Sequence, residues 1–219
     1  MKVYLVRHGE TDWNRECRLQ GQSDTVLNEI GIELAEITAK ELKDTKFDMI
    51  YSSPLRRAYM TAEIFNRGRE LEILTDKRLL EINFGEREGH RIPGRDDDDS
   101  NPIYNFEFRT EAYNPPEGGE SFDDVFARTA DFWDKEIVPL EGKCENILII
   151  GHGCMNRTII NRLLGNPIGD FWKIKLDNCA VSIIDITDGK STVLEASHKY
   201  YSRDNDRFRL PAGTTAIYG

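Results

Sequence analysis

Ile147-Leu148-Ile149-Ile150-Gly151-His152-Gly153 is the stretch on which the fold turns. Its unbroken apolar run has no polar face. A strand tolerates that only where both faces of its sheet are covered. The Gly-His-Gly that follows ends the run. Met155, Ile159, Ile160, Leu163 and Leu164 then recur at helical spacing, so a helix follows the strand directly.

The same alternation extends towards the N-terminus. Residues 2–6 are rich in Val, Tyr and Leu and read as a buried strand, ending at Arg7-His8. From Arg7 to Thr25 there is no clean periodicity, and a functional loop is expected. Leu27, Ile30, Leu34, Ile37 and Leu42 share one helical face, with Asn28 as N-cap. Phe47 to Tyr51 forms a second strand. Ser53 and Pro54 then suit the N-cap and first position of a helix running to about Phe65, which puts Arg56 in its first turn. Leu71 to Leu74 offers a further short strand.

Beyond the central run, Ala180–Ile186 and Thr192–Ala196 form a hairpin turned by Asp188-Gly189. Ser121 and Asp124 make a capping box ahead of a helix with Phe122, Val125, Phe126, Thr129, Phe132 and Trp133 inward. The order of elements predicts a three-layer α/β/α sandwich with a mostly parallel central sheet. No stretch resembles a linker, so residues 1–219 are expected to form one domain. An irregular excursion at about 84–116, with one short helix around Ile103 to Arg109, lies near the active site. Loops of that length are uncommon unless they cover a site or are disordered.

In such sheets ligands bind outside the carboxyl ends of the strands. His8, Arg56 and His152 each follow a predicted strand within a few residues, so three distant segments converge on one sheet edge. With Arg7 and Glu81 they form a set suited to a phosphoryl group. Guanidinium forks match phosphate oxygens, and the start of the helix near Arg56 adds free N–H donors. A neutral imidazole is a competent nucleophile, and a carboxylic acid can protonate a leaving alcohol. The neighbouring Arg57 is assigned a structural or supporting place, and Glu86 and Glu88 compete with Glu81 as the acid.

The formal net charge of −10 argues against nucleic acid and anionic membrane as partners, so a phosphate site must be built locally from arginines. The N-terminal apolar run is too short for a signal peptide or membrane span. Cysteines 17, 144, 154 and 179 make neither a CxxC pair nor a zinc-like spacing. A cytoplasmic protein with reduced thiols is expected. Asp96 to Asp99 lacks the ligand spacing of a calcium loop and reads as a solvated acidic tip. Nothing in the sequence decides oligomeric state, and a homodimer stays open.

Arg7-His8-Gly9-Glu10-Thr11 with Asn14, and the run from Arg18 through Asp24, resemble the first block of the histidine phosphatase (phosphoglycerate mutase-like) superfamily. Ser52-Ser53-Pro54-Leu55-Arg56-Arg57-Ala58 resembles its second, Leu80 to Gly85 with Glu88-Gly89 its acid-bearing block, and Gly119-Glu120-Ser121 the next. Gly151-His152-Gly153 resembles the block with the second histidine, and the resemblance runs to about residue 185. It implies that His8 becomes phosphohistidine, that Arg7, Arg56 and His152 hold the phosphoryl oxygens with help from Asn14, and that Glu81 moves the leaving-group proton. It implies neither metal nor cofactor. Gln20, Gly21 and Ser23 are candidates to line the substrate entrance. Arg87 and Arg91, with Arg95, are candidates for a cationic rim that binds a second anionic group of the substrate, the alternative being that they only balance the adjacent acids. The expected activity is hydrolysis of a small phosphomonoester. A phosphoglycerate mutase-type phosphomutase and a non-catalytic phospho-ligand binder are the alternatives. Ile82-Asn83-Phe84 replaces the Arg-His-Tyr run of the glycolytic mutases, and this argues for the phosphatase.

Overall fold

The computed structural model describes residues 1–92 and 103–202, so Arg95 and the Asp96–Asp99 run lie outside the described residues. In chain order the elements are β1 (Lys2–Arg7), α1 (Asp12–Arg15), α2 (Glu29–Glu41), β2 (Met49–Ser52), α3 (Arg56–Asn66) and β3 (Ile73–Thr75). They continue with α4 (Tyr104–Phe108), α5 (Phe122–Phe132), β4 (Asn146–Gly151), α6 (Gly153–Leu164), β5 (Val181–Thr187) and β6 (Lys190–His198). The six strands form one sheet in the order β3-β2-β4-β1-β5-β6. Strands β3, β2, β4 and β1 are mutually parallel, whereas β5 runs antiparallel to β1 and β6 antiparallel to β5.

The apolar run 147–150 is the central strand β4, between β1 and β2. Strand geometry sends successive side chains to opposite faces. Tyr4, Val6, Leu148 and Ile150 pack against α2 and α3 through Leu34 and Ala62. Val3, Leu5, Ile147 and Ile149 pack on the other face against α5 and α6 through Phe132 and Ile159. Each such side chain contributes roughly 1.5–3 kcal/mol on burial. Two helical layers therefore enclose the sheet, as the sequence pattern predicts.

Local signals hold at most element ends. Asn28 caps α2 by accepting from Gly31 N–H, and Ser121 and Asp124 form the expected capping box of α5. Asp188 and Gly189 both have positive φ, 53° and 72°, as a two-residue hairpin turn requires. The start of α3 differs. Its first helical residue is Arg56, not Pro54, because Asp24 Oδ1 accepts the Arg56 N–H at 2.7 Å. A carboxylate from a distant loop thus sets the helix origin two residues later than the local sequence suggests.

The flanks of the excursion do not simply cross the surface. Phe84, Phe106, Tyr113, Phe122 and Phe171 form a third apolar cluster, in which Phe106 and Phe122 stack with centroids 5.1 Å apart. Trp172 Nε1–H donates to the Phe106 carbonyl at 2.8 Å, tying α4 to the segment before β5.

Candidate active site

The site grows from the carboxyl ends of β1 and β4. Their register pairs Arg7 with Gly151, so His8 and His152 are the next residues out on adjacent parallel strands. His8 N–H donates to Gly151 O at 2.9 Å, which locks the two strand ends together. The imidazole centroids are 5.2 Å apart, and both residues are buried. Gly9 follows because a Cβ there would lie 2.5 Å from the Gly31 carbonyl oxygen.

His8 Nδ1 lies 2.6 Å from Gly9 O. A carbonyl only accepts, so this contact places the proton on Nδ1 and the lone pair on Nε2. Burial, followed by the charges of Arg57 and Arg7, holds His8 well below the ordinary imidazole pKa. Burial also depresses His152, with Arg57, His8, Arg128 and Arg7 adding to the effect. Two neutral imidazoles thus face each other in a positive field.

Arg7 and Arg57 are both fully buried. Arg7 Nη1 donates to Leu176 O at 2.5 Å. Arg57 Nη1 donates to Ser23 O at 2.7 Å, and its Nη2 to Gly21 O at 2.6 Å. Arg56 is exposed, and its side chain lies with Asp12, Trp13, Glu16 and Asp24 along a surface groove. The structure therefore brings Arg57, and not the expected Arg56, to the histidines. One residue turns a side chain by about 100° around a helix, and Arg57 shares the buried face of α3 with Ala58, Thr61, Ala62 and Phe65.

Asn14 lies on α1, whose N-cap Thr11 donates to Asn14 Oδ1 from both N–H (3.0 Å) and Oγ1 (3.1 Å). Asn178 Nδ2 donates to the same oxygen at 3.3 Å and to His8 O at 3.1 Å. The Asn14 amide is thereby oriented, and its buried Nδ2 has no hydrogen-bond partner among the described residues. Both ring nitrogens of His152 are likewise buried without one. Buried polar atoms of this kind are uncommon in folded proteins and call for a reason. An oxyanion among Arg7, Arg57, His152 and Asn14 would supply one.

Glu81 is buried at the start of α6. Its Oε1 accepts from Met155 N–H at 2.9 Å and from Ile82 N–H at 3.0 Å, and its Oε2 from Cys154 N–H at 3.0 Å. His152 is the N-cap of the same helix. Glu81 and His152 thus meet at one helix end. The Cys154 thiol has its pKa pushed well up by burial, then by Glu81, which leaves it protonated. Of the rival acids, Glu86 is exposed, and Glu88 accepts from the amides of Gln22 and Ser23.

The remaining candidates are dispersed. Gln20 is buried, with Oε1 accepting from Thr25 Oγ1 at 2.8 Å and lying 2.9 Å from Thr11 Oγ1. Gly21 and Ser23 meet Arg57 through their carbonyls. Arg87 lies at the surface with Nε 3.4 Å from Glu86, and Arg91 is exposed in a backbone bridge to Arg18.

Two residues escape sequence reasoning. Arg128 donates to the carbonyls of Leu80 (2.6 Å) and Glu81 (3.1 Å) and pairs with Glu120 at 2.9 Å, bracing the acid's backbone. The available signal is an arginine on the apolar stripe of Val125, Thr129 and Phe132. Asn178 sits in a loop before β5 and carries no local signal.

The family model described as Histidine phosphatase superfamily (branch 1) matches residues 3–198. Phosphoserine phosphatase 1 of Hydrogenobacter thermophilus is 31% identical over 199 residues, 89% of this chain and 91% of that protein. The probable phosphoglycerate mutase GpmB of Yersinia pestis is 35% identical over 191 residues, 84% of this chain and 85% of that protein. Among solved structures, Bacillus stearothermophilus YhfR superposes with a TM-score of 0.83 at 32% identity, over 91% of this chain and 98% of that one. The alpha-ribazole phosphatase from Shigella flexneri gives 0.79 at 29% identity, over 90% of this chain and 96% of that one. Matched from its first strand to its last, with the whole site inside the match, the chain belongs to the histidine phosphatase superfamily (branch 1), as an enzyme of the phosphomonoesterase kind.

Proposed function

We propose that the protein hydrolyses a small phosphorylated metabolite without a metal, through a phosphohistidine on His8. The observation that carries this is the 2.6 Å contact between His8 Nδ1 and Gly9 O, which leaves the Nε2 lone pair for phosphorus. Nε2 attacks, the bond from phosphorus to the ester oxygen breaks, and Glu81 gives that oxygen a proton. Water then attacks the phosphohistidine and loses a proton to Glu81, and the bonding pair returns to Nε2. Arg7, Arg57, His152 and Asn14 hold the equatorial oxygens throughout. Fixed donors of this kind stabilise charge that grows in the transition state.

Both histidines and both arginines are buried, which favours a small ester over a folded phosphoprotein. The mutase reading draws support from the relative in Yersinia pestis. Against it, the residues after Glu81 turn inward, with Ile82 and Phe84 both buried in the apolar cluster. They offer no cation for a second phosphate. The test is phosphate release from a broad panel of phosphomonoesters in the presence of chelator. The panel includes 3-phosphoglycerate with and without 2,3-bisphosphoglycerate, with product isomers tracked. Release from one ester class supports the phosphatase. Isomerisation without release supports the mutase, and neither reaction would favour a binding protein.

A further inference from the structure

Glu88 lies seven residues beyond the proposed acid, and its carboxylate is committed to the turn of Gly21 to Ser23, whose Gln22 Nε2 also donates to Glu81 O at 3.2 Å. Oε1 accepts from Gln22 N–H at 2.7 Å and from Phe84 N–H at 3.3 Å. Oε2 accepts from Ser23 N–H at 2.6 Å and from Ser23 Oγ–H at 2.5 Å. The turn closes tightly on this carboxylate. Gly21 has φ of +49°, and a Cβ there would lie 2.0 Å from Glu88 Oε1.

The same turn holds Arg57 by its carbonyls, Gly21 O to Nη2 and Ser23 O to Nη1. The Gly21 carbonyl and the Gln22 N–H belong to one peptide group. That single plane therefore donates to Glu88 at one end and accepts from Arg57 at the other. A peptide is rigid and planar, and hydrogen bonds in series polarise one another. Carboxylate, peptide and guanidinium form a line in which fixing the first fixes the last.

We infer that Glu88 is the positioning residue for Arg57, acting through the Gly21–Gln22 peptide. This rests on the proposed role of Arg57 as a phosphoryl ligand. Arg57 is also the leading charge acting on both His8 and His152, so its placement bears on both imidazoles. Glutamine at position 88 would keep the size of the side chain. It would also set an NH2 against a backbone N–H, because both carboxylate oxygens accept from donors.

The test is a double-mutant cycle on the full chain, with p-nitrophenyl phosphate as substrate and vanadate as the oxyanion probe. Arg57→Ala is expected to lower kcat/KM by about 100-fold or more. Glu88→Gln is expected to lower it by about tenfold and to weaken vanadate by a similar factor. In the Arg57→Ala background, Glu88→Gln should change kcat/KM by no more than about twofold, since coupled residues are not additive. A merely structural glutamate would cost the same factor in both backgrounds, and that result would overturn the inference. If Arg57→Ala kept wild-type kcat/KM, the role of Arg57 itself would fall, and the inference with it. Should Glu88→Gln not fold, Gly21→Ala displaces the carboxylate by its added methyl, and its cost must likewise vanish in the Arg57→Ala background.

Discussion

His8 and His152 stand in register at the ends of two adjacent parallel strands, their rings 5.2 Å apart and tilted by 60°. The hydrogen-bond ladder between β1 and β4 therefore sets the spacing of the two imidazoles. Loops do not. This gives the site rigidity of the kind that electrostatic preorganisation needs.

Both histidines titrate well below the ordinary value of 6.5 in the folded chain. At a pH below about 6.5 the unfolded chain binds protons that the folded chain refuses. Stability therefore falls as pH drops from about 7 towards the depressed folded values, and rises with pH across that window. Melting temperatures at pH 7.5 and 5.5 should separate more for wild type than for a His8→Gln, His152→Gln double variant. Equal separations would contradict the depressed values. Nitrogen NMR of His8 should also report Nδ1–H and a bare Nε2.

Arg56→Ala should leave kcat/KM within about twofold, as for a surface substitution. Arg57→Ala should cost about 100-fold or more. Steady-state kinetics on both variants decide between them, and the reverse order would return the phosphate site to Arg56.

The fold was legible where the signal is local. Apolar runs marked β1 and β4, Asn28 and the Ser121/Asp124 box marked helix starts, and Asp188-Gly189 marked the hairpin. His8 and His152 were legible because each directly follows a strand. Arg57 shares a face with Thr61, Ile64 and Phe65 of α3, so its inward side lay in the helical periodicity, whereas the bond from Arg56 N–H to Asp24, 32 residues earlier, did not. Glu81 is anchored by amides 73 and 74 residues away, and Asn178 reaches Asn14 across 164. Such contacts are products of the topology and leave no trace in the periodicity around either partner. The aromatic cluster of Phe84, Phe106, Phe122 and Phe171 was hidden for the same reason.

Glu81→Gln should show leaving-group dependence. Alkyl phosphates need a proton on the departing oxygen, so their turnover should fall by about 10²–10⁴. p-Nitrophenyl phosphate leaves readily without one and should fall much less. A uniform loss across leaving groups would point to a structural role at the start of α6.

Ser121→Ala removes the cap of α5, the helix that carries Arg128. It should cost about 1 kcal/mol in denaturant unfolding. A cost near zero would mean that packing alone holds this helix start.

The central claim is covalent transfer to His8, and trapping the intermediate tests it most directly. Rapid alkaline quench of enzyme turning over a radiolabelled phosphomonoester, followed by peptide mapping, should place an acid-labile phosphoryl group on the peptide containing His8. The label should be absent from His8→Ala. Turnover with no trapped phosphoryl group, or with the label on another residue, would contradict the account.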